Sequence, residues 1–181
     1  KINEKESDLT IQDIEIGMRF YNDNADILES IIYKPEYDPY GDKKQRKKKE
    51  ISIQNKTILL REVEIKDCNE EYLSWLQDSD INQYLETRWE YQSISKIKNF
   101  VRDKRKSYDE YLFAIIDIKT KKHIGNIKLG PINFNHKSAE ISYFIGNKDF
   151  QNKGFSTNAI ELILKIAFLK LKLKYISAGV Y

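Results

Sequence analysis

From Thr57 onward, apolar and polar positions follow two clean periods. "TILLREVEI" (57–65) alternates and predicts a strand, because side chains two apart share one face of a pleat. Asn69–Gln77 and Asp80–Glu86 carry helical spacing, with Tyr72, Leu73 and Leu76 on one stripe. Ser93–Lys106 repeats that spacing through Ile94, Ile97, Phe100 and Val101, and Ser93 or Ser95 is placed to cap it. Three strand-like runs follow, "YLFAIIDI", "HIGNIKLGPI" and "AEISYFIG", parted by turn-rich pieces at Lys121–Lys122 and Asn133–Lys137. A long helix from about Ser156 to Leu171 and a final strand, "YISAGVY", complete the order. Strand, two or three helices, three strands, helix, strand is an α/β pattern with a mixed sheet.

The chain before this region has no such regularity. "TIQDIEIGMRFYNDNADILESIIYKP" allows a short strand or two around Ile14–Tyr21 and an ambiguous run at Ile27–Tyr33. About forty residues rarely build a stable core alone. Residues 1–42 hold four basic and eleven acidic side chains, whereas "KKQRKKK" (43–49) adds six positive ones. That run follows "YKPEYDPYGD", a composition of turns and linkers. We therefore place a boundary near residue 50, with an N-terminal segment of unassigned role (1–50) before a single domain (51–181). The basic run reads as a solvated connector rather than a nucleic-acid contact, because no aromatic residues are interleaved to stack bases.

Composition narrows the function classes. With 181 residues, 40% hydrophobic and 33% charged, the chain fits one globular domain plus an extension. Its most apolar stretch, Ala159–Leu173, is interrupted by Glu161, Lys165, Lys170 and Lys172, which argues against a membrane span. The first residues are polar and carry no secretory pattern, and Cys68 is the lone cysteine, so a reducing cytoplasm is expected. His123 and His136 have no partners at metal-ligand spacing, and no metal site is expected.

The stretch richest in chemistry is "QNKGFSTNAI" (151–160). Gly154 gives the backbone room to turn, and the helix after it directs unpaired N–H groups back at the bend. With Lys153 close by, the bend suits a phosphate or diphosphate; an ordinary loop with a Ser cap is the alternative.

Four stretches together carry a family likeness: "LREVEIKDCNEEYLSWLQDSDINQYLETRW", "HIGNIKLGPIN", "AEISYFIG" and "QNKGFSTNAIELILKIAF". They resemble the GNAT superfamily of acyl-CoA-dependent N-acyltransferases, and within it the Rim-type, ribosomal-protein-acetylating branch. The last stretch matches the family's acetyl-CoA signature at Gln151, Gly154 and Ser156. The resemblance implies a GNAT-like fold whose closing helix and strands fall beyond Tyr181, together with the tyrosine general acid that many members carry there. It implies acetyl-CoA as co-substrate, its diphosphate wrapped by backbone N–H groups of the loop Gln151, Asn152, Lys153, Gly154, Phe155 and Ser156, with Ser156 capping the helix. The strand ending in Phe144 and Ile145 would offer backbone groups to the peptide-like pantetheine and splay from the final strand to admit the thioester. One of those two amides is the expected oxyanion donor.

For the base that deprotonates the amine, Glu140 is the candidate, partly buried in its strand; a glutamate paired with a lysine or backbone group is the alternative. Tyr143 is a second catalytic candidate, although its parity is opposite to that of Glu140, so both face one site only if the strand bulges. Ile141 and Ile145 read first as core. Glu86, Arg88 and Trp89 lie where the superfamily shapes its acceptor site, and a charge pair beside an aromatic plane suits an amino sugar; packing of a buried Trp89 against the sheet is the other reading. The expected activity is acetyl transfer to a primary amine on a small molecule or amino sugar, nucleotide-linked sugars included. Acetylation of a protein amino terminus is one alternative and a catalytically silent acyl-CoA-binding module another. No membrane or nucleic-acid partner is expected, and the chain leaves room for a homodimer.

Overall fold

A computed structural model describes residues 48, 50–83 and 85–179. The strands expected within residues 14–33 lie outside the described residues. Six strands form one sheet in sequence order: β1 (Ser52–Gln54), β2 (Ile58–Glu62), β3 (Tyr111–Asp117), β4 (His123–Leu129), β5 (Ser138–Ile145) and β6 (Tyr175–Ala178). Each neighbouring pair is antiparallel except β5 and β6, which run parallel. The helices are α1 (Glu70–Gln77), α2 (Ser79–Asn82), α3 (Ile94–Lys106) and α4 (Phe155–Lys165), the last extended by a π-helical turn over Ile166–Lys170.

Local chemistry sets the helix starts. Asn69 caps α1 by accepting from the Tyr72 N–H at 2.9 Å, Asp78 caps α2 through the Asp80 N–H, and Ser93 caps α3 through the Lys96 N–H. The stripe expected on α1 omits the larger of its two buried side chains, Trp75, which joins Tyr72, Ile97, Val101, Leu112 and Ala114 in one apolar cluster. That cluster lies between α1, α3 and one face of the sheet. Helix α4 packs on β2, β4 and β5 with Ala159, Leu162 and Ile163 fully buried. Since Leu59 and Val63 join the first cluster, alternation turns Ile58 and Leu60, and their cross-strand partners, to the opposite face, under α4.

The structure adds one strand and corrects one expectation. Strand β1 was not legible, because three residues with one buried side chain, Ile53, give no period to read. The basic run is not solvated throughout: Lys48 Nζ lies 3.0 Å from Glu62 Oε2 and donates to the Lys104 carbonyl at 2.8 Å, with the Tyr111 ring centroid 4.6 Å away. Both charged side chains are nearly sealed from water. Burial pushes the Glu62 carboxyl up and the Lys48 ammonium down, with their mutual attraction opposing both shifts.

Candidate functional site

The site is organised by how β5 meets β6. Their parallel register runs from Ser138 opposite Tyr175 to Ile141 opposite Ala178, and there it ends. On its other edge β5 stays paired with β4 through Ile145, which lies opposite Gly125. Residues 142–145 therefore have one edge in the ladder and, among the described residues, no strand partner on the other.

Which amides face the open edge follows from alternation. The Glu140 carbonyl accepts from the Gly130 N–H and the Gly146 N–H donates to the Ile124 carbonyl, both on the β4 side. The intervening register is unbroken, so Ser142 and Phe144 also turn their amides to β4, and Tyr143 and Ile145 turn theirs to the gap. Of the two amides expected as oxyanion donor, Ile145 faces the gap, whereas Phe144 pairs with Asn126.

The same parity separates the catalytic candidates. Glu140 and Phe144 lie on the face covered by α1 and α3, while Tyr143, opposite Ile127, lies on the α4 face. The bulge needed to unite Glu140 and Tyr143 is not present in β5; the sheet's register shift falls between Ile115 and Ile116 on β3. The Glu140 side chain is exposed rather than partly buried, and among the described residues it makes no ion pair. The Phe144 ring packs at 6.4 Å from Tyr72 and 6.3 Å from Trp75, and Ile145 is buried, as the core reading had it.

Beyond β5 the chain turns through Gln151–Gly154 into α4. Asn152 (φ 56°) and Gly154 (φ 79°) are both left-handed and flank Lys153, an alternation that brings successive N–H groups to one side as an anion-binding concavity. Gly154 is the residue before the helix, with no side-chain cap on the first turn. The first helical bond is made by Asn158, whose N–H donates to the Gly154 carbonyl, so the amides of Phe155, Ser156 and Thr157 have no partner within the helix. A Cβ on Gly154 would meet nothing within 4 Å, so the glycine is required by its φ and not by crowding. The cap expected of Ser156 is corrected too, since that residue lies inside the first turn of α4.

Around this bend the polar side chains act as braces. Gln151 Nε2 donates to the Ile145 carbonyl at 2.8 Å, which ties the turn to the strand. Asn158 Nδ2 donates to the Gly154 carbonyl, and Asn55 Nδ2 donates to Asn158 Oδ1 at 2.7 Å. The Phe150 and Phe155 rings meet edge to face at 5.2 Å, and Lys153 is exposed. Asn55 and Asn158 were invisible in the sequence, since amide contacts 103 residues apart leave no spacing signal.

The acceptor candidates lie on a 3-10 turn, Glu86–Trp89, that packs on α2. Trp89 is 84% exposed, which overturns its reading as buried packing, and Tyr91 beside it is 79% exposed. The Arg88 guanidinium lies 5.2 Å from the Trp89 ring centroid and donates to the Leu85 carbonyl. The Glu86 side chain lies outside the described part of the structure. No cluster of metal-ligating side chains occurs among the described residues, nor any helix long and apolar enough to cross a membrane.

Comparison with known proteins agrees with this geometry. A family model described as an acetyltransferase (GNAT) domain matches residues 57–181. Among solved structures, a GNAT-family acetyltransferase from Bacillus anthracis is 26% identical, with a TM-score of 0.60 over 71% of this chain and 72% of that one. Spermidine N-acetyltransferase from Vibrio cholerae, in complex with CoA and spermine, is 27% identical, with a TM-score of 0.61 over 68% and 71%. A Vibrio cholerae protein provisionally named a ribosomal-protein-serine acetyltransferase is 17% identical, with a TM-score of 0.56 over 71% and 72%, a likeness of fold alone. No curated protein sequence matches. A mixed six-stranded sheet that opens beside a left-handed turn, and a family match over more than half the chain, place this protein in the GNAT acetyltransferase family, whose members transfer an acetyl group from acetyl-CoA.

Proposed function

We propose that the chain transfers the acetyl group of acetyl-CoA to the primary amine of a small molecule, with the coenzyme held along the open edge of β5. The observation that carries this reading is the parting of β5 from β6 after Ile141, directly upstream of the convergent amides at Asn152–Gly154. In this reading those amides and the first turn of α4 take the diphosphate, which calls for no titratable group. Pantetheine adds to the open edge as an extra strand, using the amides of Tyr143 and Ile145. The thioester carbonyl, on becoming a tetrahedral oxyanion, accepts from the Ile145 N–H. Glu140, on the opposite face of the strand from Tyr143, removes the proton from the attacking ammonium through water. Tyr143 then serves by its backbone, and its ring flanks the coenzyme.

The acceptor approaches from the Arg88–Trp89 turn. An exposed indole plane next to a guanidinium supports an amino sugar, by stacking and hydrogen bonding. A second reading, an aliphatic polyamine, is supported by the likeness to an enzyme solved with CoA and spermine. The test has two parts. Acetyl-CoA and CoA should raise the melting temperature while ATP does not. Thiol release with amino sugars, polyamines and short peptides then ranks the acceptors. Absence of any CoA-dependent shift would sink the proposal, and turnover with peptides alone would replace the small-molecule acceptor.

A further inference from the structure

Three consecutive residues leave the end of β5, and each is held by a different part of the α1–α2 corner. The Trp75 ring lies so close to Gly146 that a Cβ there would sit 2.1 Å from the indole. Asn147 donates from Nδ2 to Glu71 Oε1 at 3.3 Å, and its Oδ1 accepts from the Asp149 N–H at 3.0 Å. Lys148 Nζ lies 2.7 Å from Asp78 Oδ2 and 2.9 Å from Asp80 Oδ2. Asp78 is also where α1 ends and α2 begins, so the carboxylate that holds Lys148 is itself fixed by the cap it makes. The same segment continues into the coenzyme turn through the Gln151 brace and the Phe150–Phe155 contact.

We propose that Lys148 is a positioning residue for acetyl-CoA: by bridging Asp78 and Asp80 it orders Gly146–Gln151, and through them the amides of Asn152–Gly154, before the diphosphate arrives. The inference rests on the reading of that turn as the diphosphate site. A concavity of amides binds an anion well only when the amides already converge; ordering them on binding subtracts from the affinity. An isolated exposed pair contributes little, and Lys148 is half exposed. Here one ammonium spans two carboxylates, and its two preceding residues are pinned independently, so little freedom remains for it to lose. There is also a charge consequence. Without the ammonium, Asp78 and Asp80 would lose the counter-charge they share, on a surface that also carries Glu71 and Asp149.

The experiment uses the 181-residue chain, with CoA affinity by calorimetry and KM for acetyl-CoA and for the amine measured separately. Lys148→Met should weaken CoA binding and raise KM for acetyl-CoA by about three- to tenfold. Turnover at saturation and KM for the amine should stay unchanged, as should the melting temperature without coenzyme, to within about 2 °C. Lys148→Arg should behave as the parent. Lys148→Asp should lose more than Lys148→Met, because a third carboxylate then faces Asp78 and Asp80. Unchanged CoA affinity in Lys148→Met, in a parent that binds CoA, overturns this inference alone. A parent that binds no CoA overturns the reading of the turn, and this inference with it.

Discussion

The two ends of the sheet are built from similar residues and closed in different ways. From β2 to β4 each strand is paired on both sides, Ile58, Leu60, Phe113 and Ile127 are fully buried, and even a charge is sealed in, the Lys48–Glu62 pair. At β5 and β6 the same kind of strand has, among the described residues, no partner on one edge beyond Ile141, beside a turn whose amides have no partner within α4. Backbone groups that a protein leaves unmet are held for a ligand or for water. Stability should therefore respond to changes at the closed end and coenzyme binding to changes at the open end.

The largest expected effect tests the closed end. Lys48→Met strands a carboxylate in a site nearly sealed from water and should destabilise the domain by about 3 kcal/mol, read as a shift of the urea midpoint. CoA affinity of the folded fraction should not move. Next, two proline substitutions divide β5 by the direction of its amides. Ser142 and Tyr143 are adjacent and exposed, but only Ser142 turns its N–H to β4. Ser142→Pro should lower stability by about 2 kcal/mol or more, while Tyr143→Pro should leave the unfolding midpoint nearly intact and weaken CoA binding. Equal loss of stability in both would remove the distinction.

At the turn itself, Gly154→Val forces a branched side chain into a left-handed conformation, with open space around it. The expected result is strain of about 1–2 kcal/mol and CoA binding weaker by about tenfold or more, measured by calorimetry.

A smaller effect concerns His123, at the margin of the closed end. Its Nε2 lies 3.0 Å from both the Gly125 carbonyl and Asn126 Oδ1, so that nitrogen carries the proton, and the Tyr72 and Trp75 rings meet it edge-on. Burial holds the imidazole below its ordinary value of 6.5. The unfolded chain then takes up the proton first as pH falls, so the stabilisation is full above about pH 6.5. Below that it declines by about 1 kcal/mol per pH unit until the folded imidazole also takes up its proton. Glu62, whose carboxyl is pushed up, works in the opposite direction at lower pH. A His123→Gln variant isolates the histidine's share, because its unfolding midpoint should fall less steeply between about pH 7 and pH 5. Smallest in stability is Trp89→Ala, expected within about 0.5 kcal/mol of the parent because the ring is solvated. Its effect should appear in KM for the amine.

Much of this molecule is visible in its periods. Helix α3 begins at the residue after Ser93 and ends at Lys106, as its spacing and cap foretell; β3, β4 and β6 fall inside the runs assigned to them, and β5 starts one residue ahead of its run, at Ser138. The left-handed turn before α4 was legible because glycine, lysine and a helix start lie within four residues. The braces around it were not, since Asn55–Asn158 and Lys148–Asp78 join residues far apart in the chain. Trp75 was missed for a related reason: the glycine that accommodates its ring is 71 positions away, and no local pattern reports that.

What the amino-acid order determines by itself is what depends on neighbours within about four residues: periods, caps, and the left-handed bend that Gly154 permits. The tertiary structure decided the rest. Pairing directions turned Tyr143 and Ile145 to the gap and Phe144 to β4, and parity put Glu140 and Tyr143 on opposite faces. The place where β5 and β6 part is set by the crossover through α4 and by packing on both faces of the sheet, because a strand's hydrogen bonds belong to whichever strand is brought alongside it.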